Sequence, residues 1–331
     1  MRSATKWTAW VGTDDQWDEQ LRTLSGACVF QGSNWARHRA DFGWKSVRLI
    51  SETGRCYAQV LYKTVLGTSI AWIPGGPTGE IDEIGGEFVT TIRRLTNSSR
   101  IYVRLNILEK TNQAVEKSLV NSQWRRVRTK LSSGFSLTYS LQADETTRRN
   151  DLSANWARNL RRGESRNQTP YIWTQVSSQE IADLYKNLSD YKDLADSGEI
   201  PGDESIKSLI HHCKNDLYVF RCDDETGELL AIRGALRFGR KAWDIFAAVS
   251  PKGRKQYSSY VTAWSLLNFC AEQGVDIYDL SGIDPINNKG VYDFKHGTGA
   301  TEVEYVGEWE LGSPFFVQPI VGRLIRYRKT F

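Results

Sequence analysis

Two stretches of this 331-residue chain read alike, and that likeness limits the fold more than any other feature. The first opens with the apolar, β-prone run Cys56–Tyr62, turns at Gly67 and returns as a second strand over Ser69–Pro74. Gly75-Gly76-Pro77 ends that strand. Ile84, Phe88, Ile92 and Leu95 then recur at helical spacing, and Ile101–Leu105 closes the stretch as a strand. The second stretch has a strand over Leu229–Leu236, a turn at Gly239-Arg240 and a strand over Trp243–Val249 ending in Ser250-Pro251. A helix over roughly Tyr257–Gln273 follows, stopped by Gly274, and Val275–Leu280 is the closing strand. The same order of strand, turn, strand, proline-bearing loop, helix and strand predicts a tandem duplication. The length suits two domains. The seam is expected near Ser140–Asp144, before a helix that starts at Asp151-Leu152-Ser153 with Leu152, Trp156 and Leu160 as its apolar stripe.

Composition narrows the function classes. Hydrophobic residues make up 40% and charged residues 25%, the balance of a folded soluble chain. No apolar run approaches a membrane span, and Met1–Trp7 has no signal-peptide core, so a cytoplasmic protein is expected. The five Cys are scattered and form no CxxC pair, and the four His have no metal-ligand spacing. Neither a GxSxG elbow nor a P-loop is present. The expectation is therefore no metal and no cofactor. Most of the twelve Trp are expected in cores. The net charge of +4 is clustered: Arg148, Arg149, Arg158, Arg161, Arg162 and Arg166 in one stretch, Arg125, Arg126, Arg128 and Lys130 in a second, Arg323, Arg326, Arg328 and Lys329 in a third. Such clusters permit a polyanionic partner.

The repeated unit is similar to the core of the GNAT-type acyltransferase fold, in which a helix N-terminus receives the acyl donor. The expected fold class is α/β (α+β), with two tandem GNAT-like domains. No sustained heptads occur, so no coiled-coil arm is expected. GNAT enzymes bind the pyrophosphate of CoA with V-x-P-x-x-[QR]-x-x-G-x-[GA]. Here Val249, Pro251 and Arg254 fit, but Tyr257 and Ser259 stand where the glycines belong. A tyrosine there blocks close approach of a pyrophosphate, which argues against an acyl-CoA donor.

Near the C-terminus, Asp279-Leu280-Ser281-Gly282-Ile283-Asp284-Pro285 precedes Gly290–Gly299, with Phe294-Lys295 at its centre, and then Glu304–Trp309. This resembles the Fem family of aminoacyl and peptidyl transferases, whose pattern is D-x-x-G-I followed by F-K-x-G-x-G. Those enzymes build peptidoglycan interpeptide bridges from aminoacyl-tRNA. Gln31–Arg39 resembles the family's Q-x-x-x-W-x-x-x-K segment, Gly76-Pro77 its G-P turn, and Arg158–Gly163 its R-x-x-I-R-K-A helix start. The resemblance implies that the C-terminal tail returns to the first domain. The expected domains are then residues 1–142 with 308–331, binding the acceptor, and residues 143–307 on the donor side.

The resemblance also implies roles. Lys295 is the first catalytic candidate, stabilising an oxyanion or else binding the donor's terminal phosphate or ribose. Phe294 shapes the same channel or packs in the core. Arg39 replaces a lysine that contacts acceptor phosphate, with Trp35 one turn earlier on the same helix face. Tyr102 and Asn106 lie at the end of a closing strand. The family often has Asp where Asn106 stands, and Asn cannot take a proton. Lys192 is aligned with a phosphate-contacting arginine, and Arg254, Tyr257 and Tyr260 are expected to line the second domain's cleft. Arg158, Arg161 and Arg162 are expected to meet tRNA backbone, or simply to form a solvated face.

The reading that follows is an aminoacyltransferase using aminoacyl-tRNA as donor and a UDP- or lipid-linked muropeptide, or a small-molecule amine, as acceptor. A monomer is expected. Transfer to a specialised metabolite, acyl-CoA N-acylation and non-catalytic RNA binding are the competing functions.

Overall fold

The computed structural model describes residues 5–24, 26–81, 84–192 and 202–330. The chain divides into two compact units, residues 1–135 with 304–331, and residues 136–303. The seams expected from the sequence lie at 142/143 and 307/308.

The first unit begins with β1 (Trp7–Ala9), α1 (Asp14–Arg22), a 3-10 turn over Val29–Gln31 and α2 (Ser33–Ala40). It continues through β2 (Lys45–Ser51), β3 (Cys56–Val65), β4 (Thr68–Pro74), β5 (Thr78–Gly79) and α3 (Gly86–Leu95), then β6 (Arg100–Lys110), α4 (Gln113–Asn121) and β7 (Arg125–Arg126). The second unit comprises β8 (Phe135–Ser140), α5 (Glu145–Asn150), α6 (Ala154–Glu164), β9 (Tyr171–Ile172), α7 (Ser178–Lys192) and α8 (Asp203–Cys213), followed by β10 (Leu217–Asp223), β11 (Leu229–Phe238), β12 (Lys241–Val249), α9 (Pro251–Lys255), α10 (Ser258–Glu272), β13 (Ile277–Gly282) and α11 (Lys289–His296). β14 (Thr301–Ser313) and α12 (Val317–Thr330) bring the chain back to the first unit.

Both sheets repeat one topology. In the first, the strands run β1-β2-β3-β4-β6-β14, and β4 and β6 are parallel neighbours joined through α3. In the second the order is β8-β13-β12-β11-β10-β9, and β12 and β13 are parallel neighbours joined through α10. The order of elements expected from the duplication is present in both. Among the described residues the longest helices, α7 and α10, have 15 residues each.

Hydrophobic pattern explains the packing. Phe88, Val89 and Ile92 of α3 turn one face onto Ile101, Val103 and Leu105 of β6, and all are buried. Burying a side chain such as Phe88 stabilises by roughly 1.5–3 kcal/mol. α10 is apolar over most of its surface and packs with α6 against β10 and β11, around Trp156, Trp264 and Leu266. Caps fix where helices begin. Ser153 accepts from the Trp156 amide to start α6, and Ser250 accepts from the Gly253 amide with Pro251 at the first turn of α9.

The two parallel pairs differ. β4 and β6 stay in register over seven residues, from Thr68 opposite Arg100 to Pro74 opposite Asn106. β12 and β13 pair over three only, ending at Trp243 opposite Asp279. On its other edge β12 carries an extra residue, because Gly234 faces Phe246 while Ala235 faces Asp244, leaving Ile245 over. A bulge bends the strand that carries it, so β12 leaves β13 where the bulge sits. Gly234 is needed there, since a Cβ would lie 2.8 Å from the Phe246 ring.

Candidate active site

The opening between β12 and β13 holds the most specific group in the sequence. Ser281 spans it. Its hydroxyl donates to the Asp244 carbonyl at 2.7 Å, and its amide donates to Asp279 Oδ1 at 2.7 Å. Ser281 adopts φ +62°, a left-handed conformation uncommon for a side chain other than glycine. This turn points the Ser281 and Gly282 carbonyls at Lys295 of α11, whose Nζ donates to them at 3.2 and 2.8 Å. An ammonium has three N–H groups, so one is left without a partner among the described residues. Lys295 is buried, and that burial lowers its pKa below the ordinary 10.5; nearby Arg233 adds to the lowering, while the Asp244 and Asp279 carboxylates oppose it.

The surroundings are paired and packed. Arg233 pairs with Asp244 through two bonds of 2.7 Å, and the Tyr278 hydroxyl donates to the same carboxylate at 3.0 Å. Burial, then the adjacent Asp244 charge, pushes the Tyr278 phenol well above its usual value, so it stays a donor. Phe294 lies beneath the Arg233 guanidinium, 5.3 Å from its ring centroid, and packs edge-on to Tyr260 at 5.0 Å. Its carbonyl accepts from Trp156 Nε1 at 3.0 Å, which ties α11 to α6.

Tyr257 is the N-cap of α10. This residue has φ +61°, a glycine conformation in a tyrosine, at the first of the positions where GNAT enzymes carry glycine. Its ring lies under the guanidinium groups of Arg166 and Arg162, 4.9 and 5.5 Å from the centroid, and its hydroxyl accepts from Arg162 at 3.1 Å. Tyr260 turns inward between Trp156 and Phe294, its hydroxyl accepting from Asn159 Nδ2 at 3.1 Å. Arg254 is half-buried in α9. Arg158, Arg161 and Arg162 are exposed along α6, with Trp156 and Leu160 on its buried side.

In the first unit the candidates lie on the sheet face opposite the apolar core. Arg39 projects from α2 into a cage of Phe42, Trp44 and Trp72, with ring centroids 5.7, 5.9 and 5.8 Å from its guanidinium carbon. Its Nε is buried without a hydrogen-bond partner, and desolvation alone lowers its pKa. Trp35 packs on Phe30 and His38, and its indole N–H is likewise buried and unpartnered. Both are donors of the kind that an anion would satisfy. Trp72 lies opposite Arg104 in the parallel register, and Asn106 is two residues further along β6. Arg104 donates to Glu308 Oε2 at 2.7 Å and to the Thr129 carbonyl at 2.6 Å, and the Leu131 amide donates to Glu308 at 2.8 Å. Asn106 meets Ser132 across 3.4 Å. Tyr102 is fully buried, donates to Glu310 Oε2 at 2.6 Å and packs against Val317 and Val321 of α12.

The structure thus groups Lys295, Phe294, Tyr260 and Tyr257 within one unit, and Arg39, Trp35 and Asn106 within the other. Tyr102 is buried beneath α12. Lys192 ends α7, and its side chain lies outside the described residues. Ser281, the Arg233–Asp244 pair, Trp72 and the Arg104–Glu308 pair were not foreseen as site residues. Arg233, Asp244 and Arg104 each interrupt an apolar strand run, and that interruption was the available signal.

The model of the FemAB family matches residues 213–319, the stretch that includes β11, β12, α10, β13 and Lys295. That stretch is FemAB-like. A UDP-N-acetylmuramoylpentapeptide-lysine N(6)-alanyltransferase of Weissella viridescens is 32% identical over 87 residues, an alignment that spans 26% of this chain and 26% of that relative's length. The crystal structure of FemX superposes with a TM-score of 0.78 at 13% identity, over 92% of this chain and 96% of that one. A tandem GNAT protein from the clavulanic acid biosynthesis pathway superposes with a TM-score of 0.56 at 10% identity, over 93% of this chain and 98% of that one. At these identities the likeness is one of fold. The tandem GNAT-like, Fem-type architecture expected from the sequence is the architecture found. Among the described residues no helix is long and apolar enough to cross a membrane.

Proposed function

We propose that this chain is an aminoacyltransferase that moves an amino acid from aminoacyl-tRNA to an amine of a peptidoglycan precursor, forming an amide. The observation that carries the reading is the buried Lys295 ammonium, held by two backbone carbonyls at the opening between β12 and β13, with a third N–H to give. The family match over this segment, and the alanyltransferase name of the relative in Weissella viridescens, supply the substrate class.

In this reading the second unit binds the donor. The acceptor amine's lone pair attacks the ester carbonyl carbon, and the carbonyl oxygen takes the negative charge. Lys295 Nζ donates its free N–H to that oxyanion. The ester C–O bond then breaks, the terminal ribose oxygen leaves and takes up a proton, and the amine loses one as the amide forms. An α-amine has a pKa near 8 and an ε-amine one near 10.4, so the demand for a base depends on the acceptor. Asn106 cannot serve as that base, because an amide takes no proton near neutrality. Arg39 in its aromatic cage holds an acceptor phosphate, and Arg158, Arg161 and Arg162 meet tRNA phosphates. Tyr257 and Ser259 at the N-terminus of α10, where the GNAT pattern has glycine, fit a donor that brings no pyrophosphate there. An aminoacyl-tRNA donor places the reaction in the cytoplasm.

The test is transfer of radiolabelled amino acids from total aminoacyl-tRNA to UDP-linked muropeptide, with and without RNase. RNase-sensitive labelling of the muropeptide is expected. Labelling supported by acyl-CoA alone would overturn the donor, and RNase-sensitive labelling confined to other metabolites would overturn the acceptor.

A further inference from the structure

One end of the first unit gathers exposed apolar side chains that no described residue covers. The β3–β4 hairpin tip presents Val65 and Leu66, the latter 91% exposed. Phe315, 85% exposed, and Phe316 precede α12. These lie at the same end of neighbouring strands, since Thr68 of β4 pairs with Arg100, and Ser313 of β14 with the adjacent Ile101. From there an apolar stripe continues along α12. Val317 and Val321 face inward, while Phe316, Ile320, Leu324 and Tyr327, spaced by four, four and three residues, stay exposed. Arg323 borders that stripe and Arg326 lies beyond it, both exposed. Beside the hairpin tip lies a shallow depression of about 720 Å³ lined by Thr64, Thr90, Arg93, Arg94, Asn97 and Ser98. Arg100 is exposed at its margin and donates to the Leu66 carbonyl at 2.9 Å.

We propose that this end of the first unit docks on an anionic phospholipid surface, with Leu66, Phe315 and the outer stripe of α12 entering the interface and Arg94, Arg100 and Arg323 meeting lipid phosphates. The pattern matches what such a surface rewards: bulky apolar residues a few ångströms proud of the fold, ringed by arginine. A nucleic acid would take the arginines but gains nothing from Ile320 or Leu324. A second copy of this chain would bring the same positive charge against itself.

The test is co-sedimentation of the full chain with vesicles of phosphatidylcholine alone and of phosphatidylcholine with phosphatidylglycerol. Binding to the anionic vesicles, weakened by salt, is expected. Leu66→Asp with Phe315→Asp, and separately Ile320→Asp with Leu324→Asp, should each weaken it at least about tenfold. All four positions are exposed, so the melting temperature should stay within a few degrees, and Arg94→Glu provides a charge-only variant. Equal binding to both vesicle types, or aspartate variants that bind like wild type, would overturn the proposal. A concentration-dependent dimer abolished by the same substitutions, with no vesicle binding, would assign the patch to a second copy instead. RNA binding weakened by the aspartate pairs, with no vesicle binding, would assign it to nucleic acid.

Discussion

The Ser281 hydroxyl donates to the Asp244 carbonyl at 2.7 Å, at the place where β12 and β13 stop pairing. The side chain takes over a backbone acceptor that the parallel ladder has abandoned. Ser281→Ala leaves that carbonyl unpartnered and keeps a Cβ at φ +62°, whereas Ser281→Gly leaves it unpartnered but relaxes the backbone. Losing the donor should cost about 1–2 kcal/mol in the alanine variant and less in the glycine variant, read by urea titration. Single-turnover transfer should slow in both, because the Gly282 carbonyl that holds Lys295 is set by this turn. Wild-type rates in both variants would remove Ser281 from the account.

Lys295→Ala should lower the chemical step by roughly 10²–10³, the worth of one oxyanion donor, with the KM for aminoacyl-tRNA changed only a few-fold. A rise in KM with kcat intact would instead mark Lys295 as a donor-binding group. The pH dependence follows from its burial. The protonated form is the active one, and burial lowers its pKa from 10.5, so the alkaline loss of kcat should begin below that value. The same limb should vanish from the residual activity of Lys295→Ala. Stability carries the complementary sign: the folded state binds the Lys295 proton less tightly than the unfolded chain. This residue's unfavourable contribution is therefore full below the folded pKa and fades as pH rises from there toward 10.5.

Arg39→Ala should raise the KM for a phosphorylated acceptor about 10- to 100-fold, the range for a charge-assisted hydrogen bond, and leave kcat nearly unchanged. Arg39→Lys should recover part of the loss, since an ammonium keeps the charge but not the planar fork that fits between Phe42, Trp44 and Trp72. Initial rates with UDP-linked muropeptide as the varied substrate decide this. Equal effects of both substitutions on an unphosphorylated amine would show that the cage does not read phosphate.

The duplication was legible because the strand and helix periods of the two stretches differ sharply from the loops between them, and each crossover helix stands between strands that become parallel neighbours. What the sequence did not disclose were partners far apart along the chain. Tyr102 sits on a strand that reads as a candidate binding edge. Its burial depends on Glu310 and on α12, some 208 residues later, which no local pattern announces. The bulge at Ile245 was equally hidden, because an extra residue in a strand leaves the apolar composition unchanged while reversing the alternation. Lys295 was legible through the F-K-x-G-x-G pattern. The carbonyls that hold it were not, since they depend on the left-handed turn at Ser281.

Glu308 and Arg104 form a buried pair, 2.7 Å apart with side chains 4% exposed. Glu308→Gln would strand the arginine charge and should cost about 3–5 kcal/mol, measured by denaturant unfolding. Arg104→Met combined with Glu308→Leu removes both charges and should restore most of that loss. Additive losses in the double variant would mean that the pair is not coupled.

Tyr257 holds a left-handed backbone angle that costs a side-chain residue roughly 1–2 kcal/mol, and its ring lies beneath Arg162 and Arg166. Tyr257→Gly relieves that strain and forfeits two cation–π contacts worth about 0.5–1 kcal/mol each, so the net change in stability should be small. The binding consequence should be larger. Tyr257→Gly with Ser259→Gly restores both glycines of the GNAT pattern and uncovers the N-terminus of α10, where amide N–H groups and the helix dipole favour a phosphate. Calorimetric titration with CoA should detect no binding to the wild-type chain and measurable binding to the double variant. Wild-type binding of CoA would show that Tyr257 does not close the site. Silence in both chains would place the obstacle elsewhere along Val249–Ser259.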